Sequence, residues 1–197
     1  MIVMDNTVGS LTEEQKSILI GCLLGDGTMR KKTNAHIEIN HSFAQKALVD
    51  WKYEKLRNLV ITPPKWRKGN GTREAYRFAT RSLPCLTPLY EWFYINKRKV
   101  IPNNLSLNPL ILALWFMDDG SKSRSSIYLN TQQFSKNEQE FLIKLLKQQF
   151  NIESTLNKDK IYFRIRVRTE SIRSFINLIK PFVLREFTYK FPSVLTP

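Results

Sequence analysis

The chain is poor in the residues that staple or ligate. Its 197 residues include two cysteines, Cys22 and Cys85, and two histidines, His36 and His41. Two cysteines make no disulfide framework and point to a reducing compartment. With no CxxC or HxxxH spacing, the four side chains offer nothing to hold a structural zinc. The seven glycines stand singly or at turns, so no Gly/Ser linker divides the chain. Long apolar runs are missing too. The longest nearly uncharged stretch, 83–95, falls well short of the ~20 residues of a membrane span. The first ten residues lack the basic cluster and apolar segment of a secretory signal. These absences predict a soluble intracellular protein, in a prokaryotic cytoplasm or an organelle, with no membrane partner.

Acidic residues are also scarce, 17 Asp and Glu against 31 Lys and Arg, for a net charge of +14 and a pI near 9.9. At 42% hydrophobic and 12% aromatic residues the chain can bury a core, so it is neither disordered nor fibrous. The excess positive charge then points to a polyanion, most simply nucleic acid.

One order of elements is read twice. Residues 12–25 predict a helix: Thr12 and Gln15 form a capping box, and Ile18, Leu19, Cys22 and Leu23 an apolar stripe. Asp26-Gly27 ends it, with glycine expected in the left-handed cap conformation. Two short strands follow, the second (36–41) with Ile37 and Ile39 on one face. An amphipathic helix over 44–59 carries Ala44, Ala47, Leu48, Trp51, Leu56 and Leu59 as its stripe. After a turn at Thr62-Pro63-Pro64 comes a strand over 73–81, then a helix within 83–96 with Pro88 near its start. In the second half, Asn108-Pro109 opens a helix ending at Asp119-Gly120. A strand over 127–130 follows, then Ser135 and Glu138 as a capping box for a helix to 149. A strand over 161–168 and a helix over 170–184, ended near Pro181, complete the order. Asp26 and Asp119 are 93 positions apart, Ile39 and Leu129 90, Thr80 and Thr169 89, Lys99 and Lys190 91. This period exceeds that of solenoid repeats, so it reads as a duplicated small domain. The prediction is α+β, two pseudo-symmetric αββαββα halves over 1–98 and 109–197, joined by a connector over 99–108.

The apolar helix ending in acid-glycine is the informative feature. In LIGCLLGDG (19–27), Gly21 and Gly25 share a face and allow another helix to approach. In LALWFMDDG (112–120), Ala113 is the small residue. Side-by-side packing of the two helices brings Asp26 and Asp119 together at one end. That is electrostatically poor, because helix C-termini are partially negative and the carboxylates repel. It makes sense if the carboxylates hold hard divalent cations, usually Mg²⁺, against phosphate.

Both segments resemble the LAGLIDADG motif of homing endonucleases, in the single-chain kind with two motifs. The similarity extends to PP at 63–64, KVIPNNL at 99–105, LNTQ at 129–132, LIKPF at 178–182 and TYKFP at 188–192. The second motif departs from the first, with Leu114 and Asp118 where Gly21 and Gly25 stand. The resemblance implies that Asp26 and Asp119 bind Mg²⁺ for phosphodiester hydrolysis, with the backbone carbonyls of Gly25 and Asp118 as further metal contacts. It implies Lys99 and Lys190 beside the attacking water and scissile phosphate, a catalytic set of Asp26, Asp119, Lys99 and Lys190. His41 and Thr131, at the ends of equivalent strands, either join that basic pocket or make strand-end hydrogen bonds. The resemblance also implies paired central motif helices, a saddle-shaped antiparallel sheet, a monomer, and double-stranded DNA as partner.

The strands offer a binding surface by their alternation. Arg164, Arg166 and Arg168 alternate with Phe163, Ile165 and Val167, giving one cationic face. Arg73, Arg77 and Arg81 lie opposite Tyr76 and Phe78, and Arg30, Lys32 and Asn34 read likewise. A cationic ribbon suits the major groove, where arginine reads guanine edges. The leading expectation is a site-specific DNA endonuclease encoded in an intron or intein, making a metal-dependent double-strand break at a long site. The alternative is an RNA-binding maturase whose partner is its own intron RNA. A basic ribosomal or chromatin protein would account for the charge but not for the paired acid-glycine helix ends.

Overall fold

Local signals for two like sets of elements are met in the computed structural model, which describes residues 9–68 and 74–192. The chain divides into two compact units, Met1–Lys97 and Arg98–Pro197. The first contains α1 (Glu13–Leu24), β1 (Thr28–Lys31), β2 (Ala35–Ser42), α2 (Lys46–Lys55), β3 (Lys65–Lys68), β4 (Glu74–Ala79) and α3 (Thr87–Phe93). Two-residue strands follow, β5 (Tyr94–Ile95) and β6 (Arg98–Lys99). The second unit continues with α4 (Pro109–Asp119), β7 (Gly120–Ser123), β8 (Ser126–Leu129), α5 (Lys136–Phe150), β9 (Ser154–Asp159), β10 (Tyr162–Val167) and α6 (Ile172–Ile179). Each unit holds a four-stranded antiparallel sheet, in the orders β1-β2-β4-β3 and β7-β8-β10-β9. The architecture is α+β, with αββαββα in each half. Among the described residues no helix is long and apolar enough to cross a membrane.

The caps form as their residue types dictate. The Thr12 hydroxyl accepts from the Gln15 N–H at 3.1 Å, and the Gln15 side chain answers on the Thr12 N–H at 3.3 Å. Ser135 and Glu138 make the same reciprocal pair ahead of α5. Asn108 accepts from the Ile111 N–H at 2.9 Å, with Pro109 in the first turn, where its missing donor is harmless. Each such cap stabilises its helix by about 1 kcal/mol. In β2 the side chains of Ala35, Ile37, Ile39 and His41 are buried against helices, while those between them face the open side. In β4, Tyr76 and Phe78 do the same. α4 is buried on every side from Ile111 to Asp118, as an all-round apolar helix must be.

Several expectations change. Neither motif glycine is left-handed; Gly120 has φ −73° and ψ 142°. Close approach requires them instead. A Cβ on Gly27 meets the Cys22 carbonyl oxygen at 2.7 Å, and one on Gly120 meets the Phe116 oxygen at 2.3 Å. The helix expected over 44–59 is α2 alone followed by a 3-10 turn, Arg57–Leu59. Its buried face carries Leu48, Val49 and Lys52, whereas Trp51 is only half-buried. The last helix stops at Ile179, not 184, and a 3-10 turn takes up Pro181, since a proline disfavours helix in the residue before it. β10 ends one residue short of Arg168. Residues 99–108 belong to the second unit, where the Ile101 N–H donates to Glu138 and the Leu107 N–H to Gln149, both at 2.8 Å.

Candidate functional site

In the first unit, α1 delivers Asp26 to the rim of a cleft of about 990 Å³ lined also by Thr28, Arg30, Glu38, Asn40 and His41. The Asp26 side chain is 46% exposed, so its oxygens reach solvent. Its Oδ2 lies 3.5 Å from Nδ1 of the buried His41. The Gln45 side-chain oxygen is 3.0 Å from the same nitrogen, and Lys52 Nζ is 3.3 Å from Nε2. Tyr76 pairs with His41 across the sheet and donates to Asp50 at 2.8 Å. Burial, then that hydrogen bond, pushes the Tyr76 phenol above its ordinary value, so it stays a neutral donor. Gly25 is buried at the C-cap of α1, where its N–H donates to the Gly21 carbonyl at 3.2 Å.

In the second unit, Asp119 is half-buried at the end of α4, and its backbone carbonyl accepts from the Asn130 N–H at 3.0 Å and Asn130 Nδ2 at 2.8 Å. Asp118 is buried at 5% exposure. Lys190 is brought to the same helix end over 70 residues of chain. Its Nζ donates to the carbonyls of Phe116, Met117 and Asp118 at 3.5, 2.6 and 3.3 Å. The TYKFP segment does this by packing: Phe191 stacks on Phe116 with ring centroids 5.4 Å apart, and Phe187 is buried beside Lys190. The buried ammonium thus adds to the Phe116 carbonyl, which already accepts from the Gly120 N–H, and supplies a donor to the Met117 and Asp118 carbonyls of the last turn, offsetting the negative end of the dipole. Lys99 is half-buried in β6. Thr131 is fully buried and donates to the Gln139 side-chain oxygen at 2.9 Å.

The expected arginines divide by their surroundings. Arg30 is exposed on β1, Lys32 is exposed in the β1–β2 turn, and Asn34 is half-buried there. Arg73 lies outside the described residues. Arg77 faces the open side of its sheet but pairs with Glu38 at 2.9 Å. Arg81 lies beyond β4 and donates to the Asn58 carbonyl at 3.0 Å, tying the chain to the turn after α2. Arg164 stacks over Tyr128, its guanidinium carbon 4.1 Å from the ring centroid, and its Nη1 is 3.5 Å from the Asn130 side-chain oxygen. Arg166 is half-buried and stands opposite Tyr128 and Thr155 in the sheet register. Arg168, outside the strand, pairs with Glu170 at 2.8 Å with both side chains more than half exposed, a pairing worth little.

Sequence reasoning missed Lys65, Arg67, Asn130 and Lys52. Lys65 and Arg67 stand opposite Arg77 and Ala75 in the register, so they share the open face of the first sheet. The alternation in Lys65-Trp66-Arg67-Lys68 was the available signal. For Lys52 periodicity gave none, because a lysine is expected outside.

Among the described residues no three or more His, Cys, Asp or Glu gather. What each helix end offers is carboxylate and carbonyl oxygen. That donor set suits Mg²⁺, which keeps several waters and binds through one or two carboxylates plus substrate phosphates.

Comparisons with known proteins bear on the family and the fold. The sequence model of the LAGLIDADG DNA endonuclease family matches residues 16–175. The Wickerhamomyces canadensis protein named "Probable intron-encoded endonuclease 1" is 32% identical over 197 residues, covering 92% of this chain and 85% of the relative. The cytochrome b mRNA maturase bI2 of Saccharomyces cerevisiae is 29% identical over 98% of this chain, which spans 50% of the maturase's own length. Among solved structures, the homing endonuclease I-WcaI bound to its DNA recognition sequence superposes with a TM-score of 0.87 at 28% identity, over 93% of this chain and 88% of that one.

Proposed function

As the chain belongs to the LAGLIDADG DNA endonuclease family, we propose that it is an intron-encoded, site-specific endonuclease that makes a Mg²⁺-dependent double-strand break in DNA. One observation carries the reading. An acid-glycine end of a buried helix occurs once in each unit, each followed directly by a strand of a sheet whose open face bears arginine. Asp26 with the Gly25 carbonyl, and Asp119 with the Asp118 carbonyl, would each hold a divalent cation, one carboxylate for each strand of the duplex. A cation held there would supply charge stabilisation at the phosphoryl oxygens and lower the pKa of water. Lys99 and Lys190 supply positive charge beside the phosphate. The chain acts as a monomer, because it already contains both units.

The open sheet faces bind the duplex through Arg30 and Arg77 in the first half and Arg164 and Arg166 in the second, with Lys32 and Asn34 from the β1–β2 turn and Arg81 and Arg168 from beyond the strand ends. Arg73, outside the described residues, is assigned with them from its place in the sequence alone. Lys65 and Arg67 join them by register. Arg164, held over the Tyr128 ring and steadied by Asn130, is preorganised for a base edge, whereas exposed Arg168 suits a phosphate. Arg164→Ala is expected to weaken binding by ~1–3 kcal/mol and to relax preference at one base position. Arg168→Ala should weaken all sequences alike and lower the salt slope by about one. Competition titrations over a panel of single-base variants, repeated at several salt concentrations, separate the two. Equal loss of base preference in both variants would contradict the assignment.

The deciding experiment uses the duplex formed by joining the two flanks of the reading frame. Cleavage is expected with Mg²⁺ and not in EDTA, while Ca²⁺ supports binding with little cutting, being larger and less exacting in geometry. Full-speed cutting in EDTA would sink the metal mechanism. The yeast relative's name supports a second reading, an RNA-binding maturase. Much tighter binding to the intron RNA than to the joined duplex would favour it.

A further inference from the structure

Lys52 lies in the last turn of α2 with no exposed surface. An ammonium so placed has surrendered its water and requires polar partners. One is His41, whose Nε2 is 3.3 Å from Nζ. The opposite ring nitrogen, Nδ1, faces the Gln45 side-chain oxygen at 3.0 Å and Asp26 Oδ2 at 3.5 Å. Nδ1 therefore looks at acceptors and Nε2 at a donor. A neutral imidazole meets both demands in one tautomer only, with the proton on Nδ1 and the lone pair on Nε2.

We propose that Lys52 is a positioning residue that holds His41 as the Nδ1–H tautomer and thereby orients the Asp26 carboxylate. The proposal deepens the endonuclease reading and rests on it. The ammonium fixes the ring from behind and polarises it, which strengthens the Nδ1–H as a donor toward the rim of the cleft. Carboxylates that bind metal are ordinarily held by such a neighbour, and so is the histidine that holds them.

The second unit is built differently at the same place. Ninety positions on from His41 and Lys52 stand Thr131 and Leu142, both fully buried. There the Thr131 hydroxyl donates to Gln139, a neutral pair where the first unit has an ammonium and an imidazole. With Thr131 and Leu142 at these positions the second unit has no like-for-like copy of the Lys52–His41–Asp26 series, so disturbing Lys52 is expected to act at the Asp26 end. The consequence is strand-selective.

The test joins spectroscopy to product analysis. In the ¹⁵N NMR spectrum of the intact metal-free protein, which has two histidines to assign, His41 is expected protonated on Nδ1 with Nε2 bare and accepting a hydrogen bond. Lys52→Met, which keeps the length of the side chain, should remove that tautomer preference. On a duplex labelled on each strand, the same variant should slow cutting of the Asp26 strand by about 10–100-fold and leave the other strand unchanged. Nicked duplex then accumulates, with affinity for the duplex preserved. The strand served by Asp26 is the one that Asp26→Asn leaves uncut. A proton on Nε2 in the wild-type protein overturns the proposal, whether or not the variant folds. Equal slowing of both strands, or of neither, also overturns it. If the wild-type protein cuts no duplex at all, the endonuclease reading fails, and the tautomer alone then decides whether Lys52 holds His41.

Discussion

Asp119→Asn is expected to abolish double-strand cleavage while leaving the melting temperature within a few degrees of the wild type. The substitution keeps shape and hydrogen-bonding capacity but removes the charge proposed to hold the metal. Losing several kcal/mol of transition-state charge stabilisation corresponds to roughly a thousandfold or more in rate. The stability terms are small and opposed. A carboxylate at a helix C-terminus is unfavourable by a few tenths to about 1 kcal/mol. The Lys190 ammonium, bonded to the carbonyls of the same turn, attracts that carboxylate and offsets part of the penalty. A net change of about 1 kcal/mol moves the midpoint of a chain this size by roughly 2–4 °C. Asp26→Asn should behave alike, since its carboxylate is 46% exposed and water can solvate the amide. Thermal melts and a strand-labelled cleavage assay with Mg²⁺ check both. A loss of several kcal/mol with cleavage intact would make the aspartate a structural cap.

Lys190→Met is expected to cost both stability and cleavage, which sets it apart from the aspartates. Lys190 is 7% exposed and donates to three carbonyls. Truncating the donor leaves buried acceptors without it, at about 1–3 kcal/mol, or a midpoint lower by several degrees. If its charge also serves the phosphate, cleavage at a temperature well below the melt falls by roughly 10²–10³-fold, as when one preorganised donor is removed from a reacting site. A gel-shift measurement should find the joined duplex still bound. If the midpoint drops but cleavage well below it does not, Lys190 is a helix cap and nothing more.

Much of the fold was legible because its signals are local. A capping box spans four residues, and strand alternation needs five or six. The duplicated order of elements showed in those local patterns, and matching residues stand a nearly constant distance apart. Thr12, Asn108 and Ser135 therefore cap where expected, and β2 and β4 bury the faces expected of them. The acid-glycine ends were legible as a pair, but the reason for the glycines was not. Turn chemistry suggested a left-handed residue, whereas steric approach to Cys22 and Phe116 governs. The cationic faces were read from alternation, which fixes the side of the sheet on which an arginine stands. Alternation cannot say that Arg77 meets Glu38, that Arg81 turns away to Asn58, or that Arg164 lies on Tyr128.

What the sequence by itself determined is the class of protein, the two-copy order of elements, and the aspartates at the motif ends. Charge, periodicity and capping act within a few residues, so one chain read in order suffices for them. Tertiary structure decided which charged groups are buried and what they touch. Lys190 reaches the Met117 carbonyl across 73 positions of sequence, and Gln15 reaches the Asn58 side chain across 43. Lys52 is hidden because its turn of α2 closes over the end of β2, a matter of packing that hydropathy reads with the wrong sign. A buried ammonium survives only where folding supplies its partners, so its place is written in the contacts and not in the composition.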